Sequence, residues 1–320
     1  MRIAIIDLGT NTFNLLIADK TGDQSYHIVL ETKYPAKLGK GGINSGILLP
    51  EAMERGIQAL KMHQQTMKEY QVGKVMCIAT SAIRSAVNGQ EFVDRVKQEL
   101  GLDIQVIDGK REAQLIFDGV KQVVPISDKN VLILDIGGGS NEFIIANREG
   151  VLWMHSFDLG IARLLDQFEP SDPIKQSEIE AVEAYIKPKL ALLYEAMMKY
   201  QPQTLIGSSG SFDTVAGMIA AQHHPHLDVL KLTSYKIPFD YIEELHQRFL
   251  KSTLGERMQM ERMDLHRVEM IVLASIFITF ILREFKITNV WQCAFALKEG
   301  AIHQLLTNQL ASSYGKNISY

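Results

Sequence analysis

Two stretches of the chain, 128 positions apart, align without a gap and carry one grammar: apolar run, Asp, apolar residue, Gly-rich turn, second apolar run. The first holds Asp7, Leu8, Gly9, Thr10, Asn11 and Thr12, followed by an apolar run over 13–18. The second holds Asp135, Ile136, Gly137, Gly138, Gly139, Ser140 and Asn141, followed by 142–146. A period this long does not belong to a solenoid. It predicts two related half-molecules, each presenting a carboxylate and a ring of small polar residues at a strand end. After each turn the pattern resumes as strand, which argues against a Walker-type P-loop and a dinucleotide fingerprint.

The turn chemistry points to phosphate. Glycine lets the backbone approach a ligand closely, and successive N–H groups in such a turn form a concave anion site. Thr10, Asn11, Thr12, Ser140 and Asn141 add short donors. Asp7 and Asp135 would repel a polyanion unless a hard divalent cation lay between, so magnesium is implied. Either turn taken singly reads better as an ordinary tight hairpin; the recurrence reverses that and favours a phosphate-handling cleft.

At 320 residues the chain exceeds what one hydrophobic core serves, so two domains are expected. A formal net charge of −4 gives no general attraction to nucleic acid or an anionic membrane, so a polyanion must be captured by local geometry. Cys77 and Cys293 sit in apolar runs without metal spacing and read as buried reduced thiols, which favours the cytoplasm. The first strand leaves no room for a secretion signal. Residues 268–282 are the most apolar stretch, but Glu269, with Arg267 and Arg283 at the borders, leaves a run short of a membrane span; it reads as a buried core helix.

Along the chain, strands are expected at 25–32, 74–79 and 104–107, with a Gly-rich connection over 35–49 and helices from Pro50 and over 91–100. Thr80 or Ser81 is placed to cap a short turn, and Asp108 to cap a helix that ends before Pro125. The second half reads as three strands through Phe157, a helix after Leu159, and a long helix over 177–200 kinked at Pro188. A short strand over 204–206 leads through Gly207, Ser208, Ser209, Gly210 and Ser211 into a helix whose N–H groups could hold a phosphate or a nucleotide edge. Residues 223–226, rich in histidine, read as a solvated turn with no catalytic role. Helices over 241–285, a strand over 290–293 and a helix over 297–310 complete the chain.

These residues resemble the exopolyphosphatase / guanosine pentaphosphate phosphohydrolase (Ppx/GppA) family, within the actin, sugar-kinase and heat-shock ATPase superfamily. Five motifs carry the likeness: 7–13, 79–88, 109–113, 135–142 and 207–211. The resemblance implies an α/β fold of two related ribonuclease H-like domains (the actin-like ATPase fold) around an interdomain cleft. The expected domains are 1–124 with 297–320, and 125–296. It further implies Mg²⁺-dependent hydrolysis of terminal phosphoanhydrides of inorganic polyphosphate or guanosine pentaphosphate. Glu112 aligns with the catalytic glutamate, Asp135 and Glu142 with acids near metal and attacking water, and Arg84 with a phosphate-contacting arginine. Asp7 joins the metal set. Gly137, Gly138, Gly139, Ser140 and Asn141 join Thr10, Asn11, Thr12 and the 207–211 loop as phosphate-binding residues. A looser likeness covers Arg267 to Ile271 and Leu297 to Gly300.

Phosphoryl transfer to water has a loose transition state, so positioning and charge neutralisation outweigh base strength. Glu112, in the first turn of its helix beside Lys110 and Arg111, is expected to keep its charge and orient the water. The family often has an acid where this chain has Arg111, and that departure keeps a non-catalytic sensor of guanosine tetra- or pentaphosphate open. An ATP-dependent small-molecule kinase on the same scaffold also stays open. The partners expected are the phosphate substrates, with no nucleic acid and no membrane; oligomeric state, a homodimer included, is not determined.

Overall fold

The repeat folds as two hairpins of one design. In this computed structural model, which describes residues 1–208, 210–307 and 316–317, β1 (Arg2–Leu8) pairs antiparallel with β2 (Thr12–Lys20), and β2 with β3 (Tyr26–Pro35). On its other side β1 pairs parallel with β4 (Lys74–Ala79), and β4 with β5 (Ile104–Val106). The second copy repeats this plan. β6 (Val131–Ile136), β7 (Asn141–Asn147) and β8 (Gly150–Phe157) form the antiparallel meander, and β6 runs parallel to β9 (Thr204–Ser208). β10 (Ser234–Ile237) and β11 (Asn289–Cys293) extend that sheet, in the order β10-β11-β9-β6-β7-β8. Even the irregularities recur: the register shifts at Ile17/Ala18 and again at Ile145/Ala146, equivalent positions of the repeat. Both turns need glycine at the same place, since a Cβ on Gly9 would lie 2.9 Å from the Thr12 carbonyl oxygen and one on Gly137 2.6 Å from that of Ser140.

The chain divides into two compact units, Met1–Gly119 with Leu297–Tyr320, and Val120–Ala296. In the first, α1 (Pro50–Glu69), α2 (Ser81–Ser85), α3 (Gly89–Leu100) and α4 (Gly109–Val120) follow their strands. Alternate residues Ala4, Ile6, Leu8, Phe13, Leu15 and Ile17 of the hairpin face a core shared with α1 and α3. In the second, α5 (Ile161–Phe168), α6 (Gln176–Lys189), α7 (Ala191–Tyr200), α8 (Gly210–His223), α9 (Phe239–Lys251), α10 (Leu254–Met258) and α11 (Ile271–Glu284) surround the sheet. Every residue of 271–282 is buried, as a helix apolar on all sides requires. Each large side chain so buried contributes about 1.5–3 kcal/mol. No described helix is long and apolar enough to cross a membrane. α12 (Leu297–Leu306) then packs on β1, and β12 (Lys316–Asn317) pairs with β4. Cys77 and Cys293 are buried and form no disulfide.

Several local expectations are corrected. The long helix over 177–200 is two helices: Pro188 lies in the last turn of α6, and the chain breaks at Leu190 rather than bending. β10, absent from the sequence reading, pairs antiparallel with β11 at the edge of the sheet. Thr80 holds the N-cap position of α2 without a side-chain capping bond. His223 ends α8, stacks on Tyr241 at 3.7 Å and meets Glu244 at 3.5 Å, so it is packed rather than freely solvated. The helix expected over 297–310 is α12; its last expected residues lie outside those described.

Candidate active site

Each unit carries its own set of groups. In the first, the turn after β1 is tied to the segment after β3: Thr10 O accepts from Gly39 N (3.2 Å), and Asn11 O from Ala36 N (3.0 Å) and Lys37 N (2.8 Å). In a trans peptide the next N–H points opposite to the carbonyl. The N–H groups of Asn11 and Thr12 therefore point away from that segment. Behind the turn, Asp7 lies across the ladder from Asn14, whose amide donates to Asp7 Oδ2 at 3.2 Å.

Glu112 stands in the first turn of α4. Asp108 caps that helix, its Oδ1 accepting from Arg111 N at 2.7 Å and its carbonyl from Glu112 N at 3.0 Å. Glu112 is 7% exposed, and Arg84 on α2 donates through Nη1 both to Glu112 Oε2 (2.7 Å) and to Ile107 O (3.0 Å). The cation that matches Glu112 is thus Arg84, brought from 28 residues away, rather than the neighbouring Lys110 or Arg111. Arg111 turns to Gln304 of α12, and Gln304 donates to Asp118 at the far end of α4.

In the second unit the same turn is tied to α5. Gly137 O accepts from Ile161 N (3.0 Å), and Gly138 O from Ala162 N (2.8 Å) and Arg163 N (3.3 Å). By the same peptide geometry the N–H groups of Gly138 and Gly139 face away from α5, the arrangement of a backbone anion nest. Asp135 and Glu142 are direct cross-strand partners and so project from one face of the sheet. Ser156 donates to Glu142 Oε1 at 2.7 Å, and Ser208 lies 3.4 Å from Asp135 Oδ2 while also reaching Phe295 O at 3.2 Å.

Several of the expected phosphate ligands have partners or packing roles within the fold. Asn141 is 0% exposed and its amide donates to Leu159 O at 2.9 Å, so it braces the approach to α5. Gly207 is glycine for packing: a Cβ there would sit 2.1 Å from the Phe212 ring. Ser208 is fully buried. Ser209 lies outside the described residues. Gly210 opens α8 against the Arg267 guanidinium, which a Cβ would meet at 2.0 Å, and Ser211 is buried in the same turn.

Within neither unit do three or more His, Cys, Asp or Glu side chains among the described residues form a metal cage. The donor set still suits magnesium, which is usually held by one or two carboxylates plus waters and substrate phosphate oxygens. The paired Asp135 and Glu142 are carboxylates of that kind.

A family model described as the Ppx/GppA phosphatase family matches residues 16–309. The chain belongs to the Ppx/GppA phosphatase family. It is similar to the crystal structure of an exopolyphosphatase from Cytophaga hutchinsonii, at 39% identity over 96% of this chain and 98% of that one, with a TM-score of 0.93. It is also similar to the Aquifex aeolicus member of the Ppx/GppA family, at 25% identity over 98% and 99% of the two chains, with a TM-score of 0.77. The α/β architecture with two related sheets is thus the actin-like ATPase fold of this family, and phosphohydrolase activity is what membership supports.

For a Ppx/GppA member, the residues that sequence reasoning weighed too lightly lie at the end of the chain. Lys298 pairs with Glu31 at 3.0 Å and Glu299 at 3.7 Å. Burial works against its ammonium, but Glu299, Glu31 and Asp7 outweigh burial and hold its pKa above the ordinary lysine value. Gly300 lets α12 touch α4 backbone to backbone, since a Cβ would fall 1.8 Å from Leu115 O. The looser likeness over Leu297 to Gly300 was the available signal.

Proposed function

We propose that this chain releases terminal phosphate from a condensed phosphate chain, either inorganic polyphosphate or guanosine pentaphosphate, by transfer to water. The observation that carries this reading is the buried Glu112 carboxylate held by Arg84 at 2.7 Å on the first turn of a capped helix. A carboxylate held in this way suits orienting a water and accepting its proton as the bond to phosphorus forms. The N–H groups of Gly138 and Gly139, turned away from α5, suit phosphate oxygens, and in the first unit the Arg84 fork suits them as well once Glu112 shares it. Within the second unit, Asp135 and Glu142 are the carboxylates that would hold magnesium, which when bound would neutralise phosphate charge. The sequence hint for a binding-only sensor was Arg111, and its engagement with Gln304 accounts for that residue without any change at Glu112.

The test is phosphate release from both substrates at saturating Mg²⁺, with metal omitted in parallel. Glu112→Gln is expected to lower kcat by about 10²-fold or more. Release at the wild-type rate by Glu112→Gln would overturn the reading. Tight nucleotide binding with no release from either substrate would point to the sensor.

A further inference from the structure

Two carbonyls of the second glycine turn are held by backbone amides of α5, and the third is held by a side chain. Arg163 donates from Nε to Gly139 O at 2.7 Å, and its Nη2 lies 3.6 Å from Asp158 Oδ1. The approach is close all round: a Cβ on Gly160 would lie 2.3 Å from Gly138 O. A helix N-terminus ordinarily offers its own N–H groups to an anion. Here α5 directs its first N–H groups at the turn's carbonyls, so the turn presents the donors instead.

The Gly139–Ser140 peptide differs from the two before it. Glycine does little to restrain rotation of the peptide that follows it. Arg163 Nε, a side-chain donor, is therefore the group that keeps this carbonyl toward α5 and the Ser140 N–H on the opposite side. The guanidinium adds a second effect. A charge-assisted bond to a peptide oxygen polarises the peptide and strengthens its N–H as a donor. Arg163 is 13% exposed at the side chain, so solvent weakens this effect little.

We infer that Arg163 is a positioning residue for phosphate recognition: it orients and polarises the Gly139–Ser140 peptide so that the Ser140 N–H completes the donor row begun by Gly138 and Gly139. The inference rests on the phosphohydrolase reading above, and it assigns Arg163 no contact with the substrate.

The experiment compares wild type, Arg163→Met, Arg163→Lys and Glu112→Gln in polyphosphate hydrolysis, in equilibrium dialysis of inorganic phosphate and in thermal unfolding. Arg163→Met is expected to raise KM and the phosphate Kd together by about ten-fold, with kcat little changed, as loss of one hydrogen bond to a charged ligand predicts. Arg163→Lys keeps the charge without the Nε geometry and is expected to be impaired as well. Wild-type phosphate affinity in a folded Arg163→Met, or full rescue by lysine, would overturn the inference. If Arg163→Met does not fold, the lysine variant decides alone. An active Glu112→Gln would remove the catalytic reading, whereas the dialysis comparison would still judge Arg163; absence of phosphate binding by wild type would overturn the inference itself.

Discussion

At the scale of single residues, the Arg84–Glu112 pair ties the proposed catalytic carboxylate to stability. Both side chains are largely buried, so removing one leaves the other without its charge partner in a poorly solvated place. Arg84→Gln is expected to cost about 2 kcal/mol of unfolding free energy. In Arg84→Gln/Glu112→Gln two neutral amides replace the pair, and part of that loss should return. Urea denaturation of the four proteins gives the coupling energy directly, and strictly additive losses would show that the pair is not coupled. The sequence made Glu112 legible because a helix cap and a motif are local. It did not reveal the partner, since Arg84 arrives across 28 residues by the parallel pairing of β4 with β5.

At the scale of elements, the glycine turns and α12 do different work. The turns were readable because glycine at a forced close approach, small donors and an Asp inside a strand are sequence-local features. The side-chain bond of Asn141 was not legible, because only the path of the chain into α5 brings Leu159 O to its amide. α12 acts as a splint on α4: Gln304 meets Arg111 near one end and Asp118 near the other, and Gly300 seats between them on Leu115. A methyl group at 300 would push the two helices apart, because the atom it meets is backbone and cannot swing aside. Gly300→Ala is expected to destabilise by about 1–3 kcal/mol and to lower kcat more than it raises KM, since α4 carries Glu112. Thermal unfolding with steady-state kinetics checks this; an unchanged kcat in a destabilised variant would separate α12 from catalysis.

At the scale of the whole molecule, each unit has its own core, and each core encloses a neutral histidine. Burial pushes the His246 pKa down to about 4, with nearby Arg283 adding to the shift; burial also lowers that of His63, partly offset by its bond to Phe13 O. For both, the folded pKa lies below the unfolded value of 6.5, so the unfolded chain binds protons first as pH falls. Both contributions are whole above about pH 6.5 and are lost as pH falls below it, for His246 down to about 4 and on the order of 3 kcal/mol. The urea midpoint should drop between pH 7 and pH 5, and His246→Gln should flatten that slope; an unaltered slope would exclude His246 as its source.

By itself the sequence determined the duplicated strand-turn-strand plan, the two-unit α/β character, the carboxylates at the strand ends and the glycine-rich turns. Each of these is written in consecutive residues, where backbone sterics and side-chain alternation act over a few positions. Only the tertiary structure decided that Arg84 faces Glu112, that Arg111 turns to Gln304, that Asn141 is internal and that Arg163 holds Gly139. Those pairings join residues distant along the chain, and their geometry follows from sheet order and helix packing, which local propensity does not encode.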